Sequence, residues 1–283
     1  MCILGLGFTL ESRAIDTIKM LKPILAADKR ADHKDEVITR ALELTVSEFG
    51  PFNFETVNVD MTPGRALSAT KSGKLINLFI APHNETWDEG TIPIKIPIRQ
   101  GLLSYRLLLV NKRNLHKFRN VEDMDDLKKL TAGLQGHWVT TKIFKNLGFN
   151  LQIENNFEGL FYMLDRGRFD YFPRAIYEIY DELHSRKSEV PNIVIEPTLA
   201  LYLPMKSYVY VSPNAPRVAQ RMESGLSKLL SSGEMKQILD KYYGEDIRRA
   251  GLNNRKIIKI KNTDMQIDED MDEEYILHST PSH

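Results

Sequence analysis

Residues Ile96 to Val110 read IPIRQGLLSYRLLLV, a stretch in which a polar, basic pair runs directly into an apolar segment. The apolar run that begins at Tyr105 is bounded by polar sequence and too short for a helix, so it predicts an interior strand of a mixed or parallel sheet. Upstream, Pro93 and Pro97 oppose a central strand and favour an extended connector between two compact bodies. The alternative interpretation is an ordinary edge strand followed by a core strand.

Strand and helix patterns alternate on both sides of this stretch. Apolar runs bounded by Gly or Pro predict strands, and apolar residues with helical spacing predict helices. We predict strands over residues 18–27, 52–59, 75–81, 105–110, 169–172, 192–196 and 208–211, and helices over residues 32–49, 65–73, 136–147, 157–165, 175–185, 214–230 and 234–243. This alternation is typical of an open α/β sheet on each side.

The composition is that of a soluble globular protein. The chain has 283 residues, of which 42% are hydrophobic and 27% charged, and this length suffices for two lobes of about 100 residues each with their own cores. Its 38 basic residues balance its 38 acidic residues, so bulk charge predicts no nucleic-acid or membrane partner. The single cysteine, Cys2, excludes an intrachain disulfide and a cysteine metal cluster.

Both ends of the sequence differ from the middle. The apolar run MCILGLGFTL is followed by Ser12 and Ala14, small residues spaced as at a signal-peptidase site. Residues 1–14 are therefore interpreted as the remainder of a signal peptide of a periplasmic protein, although a basic start is missing; the alternative is a buried first strand of a cytosolic protein. From Leu252 the chain turns basic and then acidic, which predicts a solvated, charged tail over residues 251–283.

The order of several short motifs is similar to that of a known family. The motifs are KSGKLINLFIA (71–81), YRLLLV (105–110), GLQGHWVTT (133–141), LDRGRFDYF (164–172), SPNAP (212–216) and LDKYYG (239–244). In this order and spacing they resemble the bacterial extracellular solute-binding proteins of family 3, the amino-acid-type members of the type II periplasmic binding proteins. The resemblance covers roughly residues 15–244.

This resemblance implies an α/β fold of two lobes, each a mixed sheet flanked by helices, with a cleft between them. Lobe 1 would comprise residues 15–104 and 205–250, and lobe 2 residues 105–204. The chain would cross near residues 101–105 and return near residues 202–207, which places Arg99 and Gln100 at the floor of the cleft. The implied partners of such a monomer are a small-molecule solute, bound by hinge closure, and an ABC permease or a membrane sensor.

A helix N-terminus predicts a ligand site independently of the resemblance. Gln135 follows a short strand and the next residues open a helix, so the backbone N–H groups of His137 to Thr140 are placed to hold a carboxylate. Trp138 is either a structural wall or a stacking surface for the ligand, and Thr140 is either a ligand residue or a capping residue.

The charged positions depart from the family pattern. The amino-acid binders carry an acidic residue near the place where this chain has Arg174, and their carboxylate-binding arginine lies in a segment that here reads PHNETWDEGT (82–91), without Arg or Lys. These departures argue against an α-amino-acid ligand. Arg99, Arg106 and Arg174 are candidates for a differently placed anion site, and the alternative for each is an ion pair.

Two further candidates lie in that same segment, at a strand end where loops often carry function. Asn84 is a ligand candidate, and Trp87 is either a ligand residue or an anchor of its loop.

No sequence motif indicates catalysis. The chain lacks G-x-S-x-G, a phosphate-binding loop and H-E-x-x-H, so we expect no enzyme, no metal and no cofactor. We predict an extracytoplasmic protein that captures a small polar, anionic solute for an ABC importer. The alternatives are a sensor, an interaction module with a degenerate cleft, and a dehydratase-like enzyme that uses Glu85, Asp88 or His137 as acid or base.

Overall fold

The structure is a computed structural model that describes residues 15–22, 29–59 and 61–262. The proposed signal peptide and the chain beyond residue 262 lie outside the described residues. The described residues form two lobes with α/β architecture and a cleft between them, which confirms the fold class expected from the sequence. No helix in the described ranges is both long and apolar enough to cross a membrane.

The elements alternate along the chain as the sequence patterns predict. The strands are β1 (Asp16–Leu21), β2 (Phe52–Val57), β3 (Leu78–Pro82), β4 (Ile92–Ile94), β5 (Tyr105–Asn111), β6 (Thr131–Leu134), β7 (Asn150–Ile153), β8 (Tyr171–Ala175), β9 (Ile193–Ile195), β10 (Leu199–Tyr202), β11 (Ser207–Val211) and β12 (Lys256–Lys259). The helices are α1 (Lys29–Glu43), α2 (Val46–Phe49), α3 (Pro63–Ser72), α4 (Glu85–Gly90), α5 (Met124–Lys128), α6 (Val139–Asn146), α7 (Phe157–Asp165), α8 (Ile176–Ser185), α9 (Pro216–Ser231) and α10 (Glu234–Ala250).

The first lobe contains two small sheets. Strands β1 and β2 form a parallel pair, while β3, β11 and β4 form an antiparallel sheet in that order. Asn77 joins the two sheets, because its side-chain amide donates to the carbonyl of Thr17 (2.7 Å) and accepts from the N–H of Lys19 (2.8 Å). Strand β4 is an edge strand, as expected of a segment containing Pro93. It ends at Ile94, and Pro97 lies in the segment that leads to β5, so the stretch contains both the edge strand of the alternative interpretation and a connector between the two lobes.

The second lobe is built on β5. Within the described residues its sheet has seven strands in the order β12-β10-β5-β8-β6-β7, with β9 also paired to β5. Every residue of β5 is buried, and its neighbours β8, β9 and β10 all run antiparallel to it. This confirms the interior strand predicted from YRLLLV.

The two lobes are joined by crossing segments that lie side by side. The chain leaves the first lobe after β4, makes a 3₁₀ turn at Leu102–Ser104 and enters β5. It returns between β10 and β11, where the N–H of Leu203 donates to the carbonyl of Ser104 (2.8 Å). The crossings are therefore held together by hydrogen bonds rather than only by packing.

A third connection is made by α10. Near its start, Met235 and Ile238 pack in the core of the first lobe, whereas Tyr243 and Ile247 pack in the core of the second. The chain then pairs β12 with β10 in parallel, and Ile258 is buried there. The prediction of a solvated tail is therefore wrong for residues 252–262, because Ile258 and Ile260 are buried and Lys259 between them is exposed, the pattern of a half-buried edge strand.

Other boundaries differ locally from the predictions. The helix predicted over residues 32–49 is interrupted after Glu43, where the hydroxyl of Thr45 donates to the carbonyl of Leu42 (2.7 Å) and competes with the helical pattern. The helix predicted from Gly136 starts at Val139. A 3₁₀ segment at Lys112–Phe118 was not predicted.

Candidate functional site

A cavity of about 590 Å³ lies between the two lobes. Residues of α1, α3, β3 and α4 line it from the first lobe, and residues of β5, α6, α7, β8 and α8 line it from the second. Leu103 and Met205 come from the two crossings. Its position beyond the strand ends, at the junction of two α/β units, is where such folds usually bind ligands.

An aromatic stack forms the wall on the first lobe. The rings of Phe79 and Trp87 are parallel, with centroids 5.2 Å apart, and Trp87 also contacts Tyr210. The side-chain oxygen of Asn84 accepts a hydrogen bond from the N–H of Trp87 (3.3 Å) and caps α4. Trp87 thus both anchors its segment, being only 4% exposed, and lines the cavity, so the two interpretations of this residue are not exclusive.

The opposite wall is formed by Trp138 at the start of α6. Its ring stacks on Phe172 (6.0 Å, 13°) and contacts Phe157. The hydroxyl of Thr141 donates to the carbonyl of Gln135 (2.6 Å) and holds the turn that leads into the helix. Two aromatic walls therefore face the same space from different lobes.

Arg174 is buried beside Trp138, and its charge is neutralised within the protein. Its guanidinium forms a two-pronged contact with Glu182 (2.7 and 2.6 Å) and an ion pair with Glu178 (2.9 Å), and it lies 4.8 Å from the centroid of the Trp138 ring. Burial opposes ionisation of Arg174, but the carboxylates of Glu178 and Glu182 raise its pKa. Arg174 is therefore an ion-pair residue at the wall of the cleft.

Arg106, in contrast to Arg174, forms no ion pair with a carboxylate among the described residues. It is 4% exposed, one of its terminal nitrogens donates to the sulfur of Met205 (3.3 Å), and its Nε has no hydrogen-bond partner among the described residues. Burial lowers its pKa, while Glu178 opposes this effect. The cavity is lined by three guanidinium groups, from Arg30, Arg106 and Arg174, and by two carboxylates, so its lining carries an excess of positive charge.

The structure brings most of the predicted ligand residues together and leaves three outside. The cavity is lined by Asn84, Trp87, His137, Trp138, Thr140 and Arg174. Gln135, Arg99 and Gln100 do not line it. Gln135 turns its amide to the carbonyl of Asn155 (2.8 Å) instead.

Arg99 and Gln100 are part of the connector rather than of the cavity wall. The guanidinium of Arg99 lies 4.8 Å from the centroid of the Tyr177 ring and donates to the hydroxyl of Ser207 (3.3 Å). Gln100 has a φ of 42° in the turn before the crossing. Tyr177 itself lines the cavity, so Arg99 lies behind a lining residue.

Several lining residues were not among the predicted ligand residues. Glu178 and Glu182 follow Arg174 at intervals of four residues, a spacing that could have indicated their pairing with it. Arg106 was considered only as one of three arginines, and Met205 had no signal in the sequence, because its role depends on contact with residues more than 60 positions away.

Comparison with solved structures places the chain in a fold class. No protein-family model matches the sequence, and no curated protein matches it significantly. Similar structures include a probable amino-acid ABC transporter extracellular-binding protein from Bacillus subtilis (14% identity, TM-score 0.59, covering 82% of this chain and 100% of the other). An ancestral arginine-binding protein bound to arginine is also similar (17%, TM-score 0.55, 81% and 98%).

A histidine kinase sensor domain with similarity to periplasmic binding proteins has the same fold (16% identity, TM-score 0.55, 81% of this chain and 97% of the other). The chain thus has the fold of the substrate-binding proteins of amino-acid ABC transporters, which confirms the resemblance seen in the sequence motifs. Identities of 14–17% establish the fold alone.

Proposed function

We propose that this chain is an extracytoplasmic solute-binding protein that captures a small anionic solute in the cleft by closing its lobes. The observation that carries the proposal is a cavity lined by both lobes, with an excess of guanidinium groups over carboxylates. Ligand enclosed between lobes is released only when they separate, and crossing segments that lie side by side are suited to this hinge motion.

The lobes that would move are residues 15–104 with 205–250, and residues 105–204. Helix α10 packs against the cores of both. Closure would therefore require α10 to pivot at its middle or to remain fixed to one lobe while sliding on the other. A motion of small amplitude is the expected consequence.

We propose that the protein acts as a monomer with an ABC importer as its partner. This is supported by similar structures that include proteins of amino-acid binding or transport. A sensor role is the second candidate, favoured by the similarity to the histidine kinase sensor domain. Both roles imply export from the cytoplasm. Export is tested by fractionating cells that express the gene from its own promoter: a periplasmic form beginning at Ile15 is expected, and an intact cytoplasmic form would contradict it.

Binding without catalysis is the simplest use of this site. Of the three acid or base candidates, only His137 lines the cavity, since Glu85 and Asp88 do not. Asp88 instead forms an ion pair with Lys95 (3.5 Å), and its other carboxylate oxygen lies 3.4 Å from the Nδ1 atom of His83. The two carboxylates that line the cavity, Glu178 and Glu182, are both paired with Arg174, so we propose binding rather than acid–base catalysis at this site.

The test uses the tryptophans of the protein as reporters. The chain has two, Trp87 and Trp138, and both line the cavity. Titration with amino acids, polyamines, dicarboxylates and small aromatic acids should change the fluorescence with one class, and the same compound should raise the melting temperature. A ligand at 100 times its dissociation constant stabilises by about 2.7 kcal/mol. Absence of both responses with every class would reject the proposal and favour an interaction module.

A further inference from the structure

At the floor of the cleft, a guanidinium group and a hydroxyl group both donate to the same weak acceptor, the thioether sulfur of Met205. A terminal nitrogen of Arg106 lies 3.3 Å from the sulfur of Met205, and the hydroxyl of Thr140 lies 3.8 Å from the same atom. A thioether accepts hydrogen bonds poorly, whereas guanidinium and hydroxyl groups bind carboxylates well. The Nε of Arg106 adds a third donor that has no partner among the described residues.

Met205 occupies the position that an anion would take. Its side chain is unbranched and adapts easily to new neighbours, and it belongs to the crossing between β10 and β11, not to the rigid interior of a sheet. A shift of the thioether would expose both donors to the cavity.

Both carboxylates among the described residues of the cavity lining are already paired with arginines. Glu182 is held by the two-pronged contact with Arg174, and the same guanidinium pairs with Glu178. Arg30 lies 3.8 Å from Glu182 and 4.0 Å from Glu178 on the other side. A ligand ammonium would have to compete with two guanidinium groups for these oxygens.

The remaining surface of the cleft is suited to an apolar ligand body. Phe79 and Trp87 line it from one lobe, and Trp138 and Phe157 from the other. Flat rings on two sides favour a flat or apolar group between them. The charged end of such a ligand would then contact Arg106, and its apolar body would contact the aromatic rings.

Resting on the proposed function, we infer that the solute is a monocarboxylate with an aromatic or apolar body and no ammonium group, whose carboxylate displaces the Met205 sulfur and binds Arg106 and Thr140. This assigns the anion site to Arg106 rather than to Arg174, and it separates this cleft from one that holds a zwitterionic amino acid.

Three compounds of one size test this assignment on the full chain. 3-Phenylpropanoate has the carboxylate and the ring, its amide lacks the charge, and L-phenylalanine adds the ammonium. Fluorescence titration should show 3-phenylpropanoate binding about tenfold or more tighter than either of the others, the effect typical of one charge-assisted contact. Equal affinity for acid and amide, or tighter binding of phenylalanine, would overturn the inference.

Variants then identify the arginine. Arg106→Gln should remove the preference for the acid over the amide, while Arg99→Gln, a control at a buried arginine outside the cavity, should keep it. Retention of the preference in Arg106→Gln would overturn the assignment. If Arg106→Gln fails to fold, Met205→Leu provides the test: it replaces the thioether with a branched apolar side chain that accepts no hydrogen bond. The affinity for the acid should stay unchanged or rise, and a tenfold loss would contradict a displaced thioether.

The outcomes separate this inference from the proposed function. Binding of a dicarboxylate in place of 3-phenylpropanoate would reject the ligand class and retain capture of an anionic solute. Binding of an amino acid or a polyamine would reject both the ligand class and the anionic character of the solute, and would retain only a solute-binding role. Absence of any response in the full panel would reject both.

Discussion

The hydroxyl of Ser104 and the backbone of Met205 bond to each other in both directions: the Ser104 Oγ donates to the Met205 carbonyl (3.1 Å) and accepts from the Met205 N–H (3.0 Å). These atoms belong to the two crossings, so one buried hydroxyl ties together segments 101 residues apart in the sequence. The side chain of Met205 also touches Arg106, which connects the crossing to the proposed anion site.

Ser104→Ala should destabilise the protein by about 1–3 kcal/mol, because it leaves a buried N–H and a buried carbonyl of Met205 without their partner. Urea unfolding measures the change. Ser68→Ala is the matched control, since its hydroxyl donates to a carbonyl of its own exposed helix, and it should change stability by no more than about 0.5 kcal/mol. Equal effects of the two variants would show that the crossing does not depend on this hydroxyl.

Glu182→Gln should destabilise the protein by about 2–4 kcal/mol, because it removes the two-pronged partner of a buried guanidinium. The double variant Arg174→Met, Glu182→Leu removes both charges and should recover part of that loss. Thermal and urea unfolding of the single and double variants provide the comparison. A single variant as stable as the wild type would mean that Glu178 alone satisfies Arg174.

His33 should make stability depend on pH. Its ring is fully buried against Tyr242 and Tyr243, and neither ring nitrogen has a partner among the described residues. Burial, with Arg99 and Lys34 nearby, lowers its pKa to about 3 from 6.5. Between these values the unfolded chain binds the proton and the folded chain does not, so acidification favours unfolding.

The expected loss attributable to His33 is about 1.4 kcal/mol for each pH unit below 6.5. Between pH 7 and pH 5 the free energy of unfolding of the wild type should therefore fall by about 2 kcal/mol more than that of His33→Leu. Urea unfolding at each pH measures the difference. Parallel pH profiles of the two proteins would show that this histidine is protonated in the folded state.

Gly225→Ala should destabilise the contact between α1 and α9. A Cβ at Gly225 would lie 2.2 Å from the carbonyl oxygen of Ala41, and backbone cannot move aside without separating the helices. We expect a loss of about 2 kcal/mol or more. Gly64→Ala is the control within α3, where a Cβ meets nothing within 4 Å and helix propensity predicts a gain of up to about 1 kcal/mol. Melting temperatures that move in the same direction would contradict this reading.

Truncation after Arg255 should destabilise the second lobe, because it removes β12 and the buried side chains of Ile258 and Ile260. Burial of two isoleucines corresponds to about 3 kcal/mol or more. Truncation after Asn262, which retains every described contact, is the control. Calorimetry gives the unfolding temperature of each form. Identical temperatures would indicate that β12 does not stabilise the second lobe.

Much of the fold could be predicted because its signals are local. The apolar run of β5, the helical spacing of α7 to α10 and the Gly or Pro residues between elements depend on neighbours in sequence. The helix-start residues His137, Trp138 and Thr140 were found in the same way, since a strand followed by a helix places them at a strand end. The interruption at Thr45 and the pairing of β12 were missed because each depends on a competing or a distant partner.

The sequence by itself determined the alternation of strands and helices, the interior strand after Ser104 and the motif order shared with solute-binding proteins, all of which reside in short-range patterns. Only the tertiary structure decided which arginine is neutralised. Arg174 meets Glu182 and Glu178 in space, whereas Arg106 meets the sulfur of Met205. Charge, unlike periodicity, acts through distance and burial, and both are set by how remote segments pack.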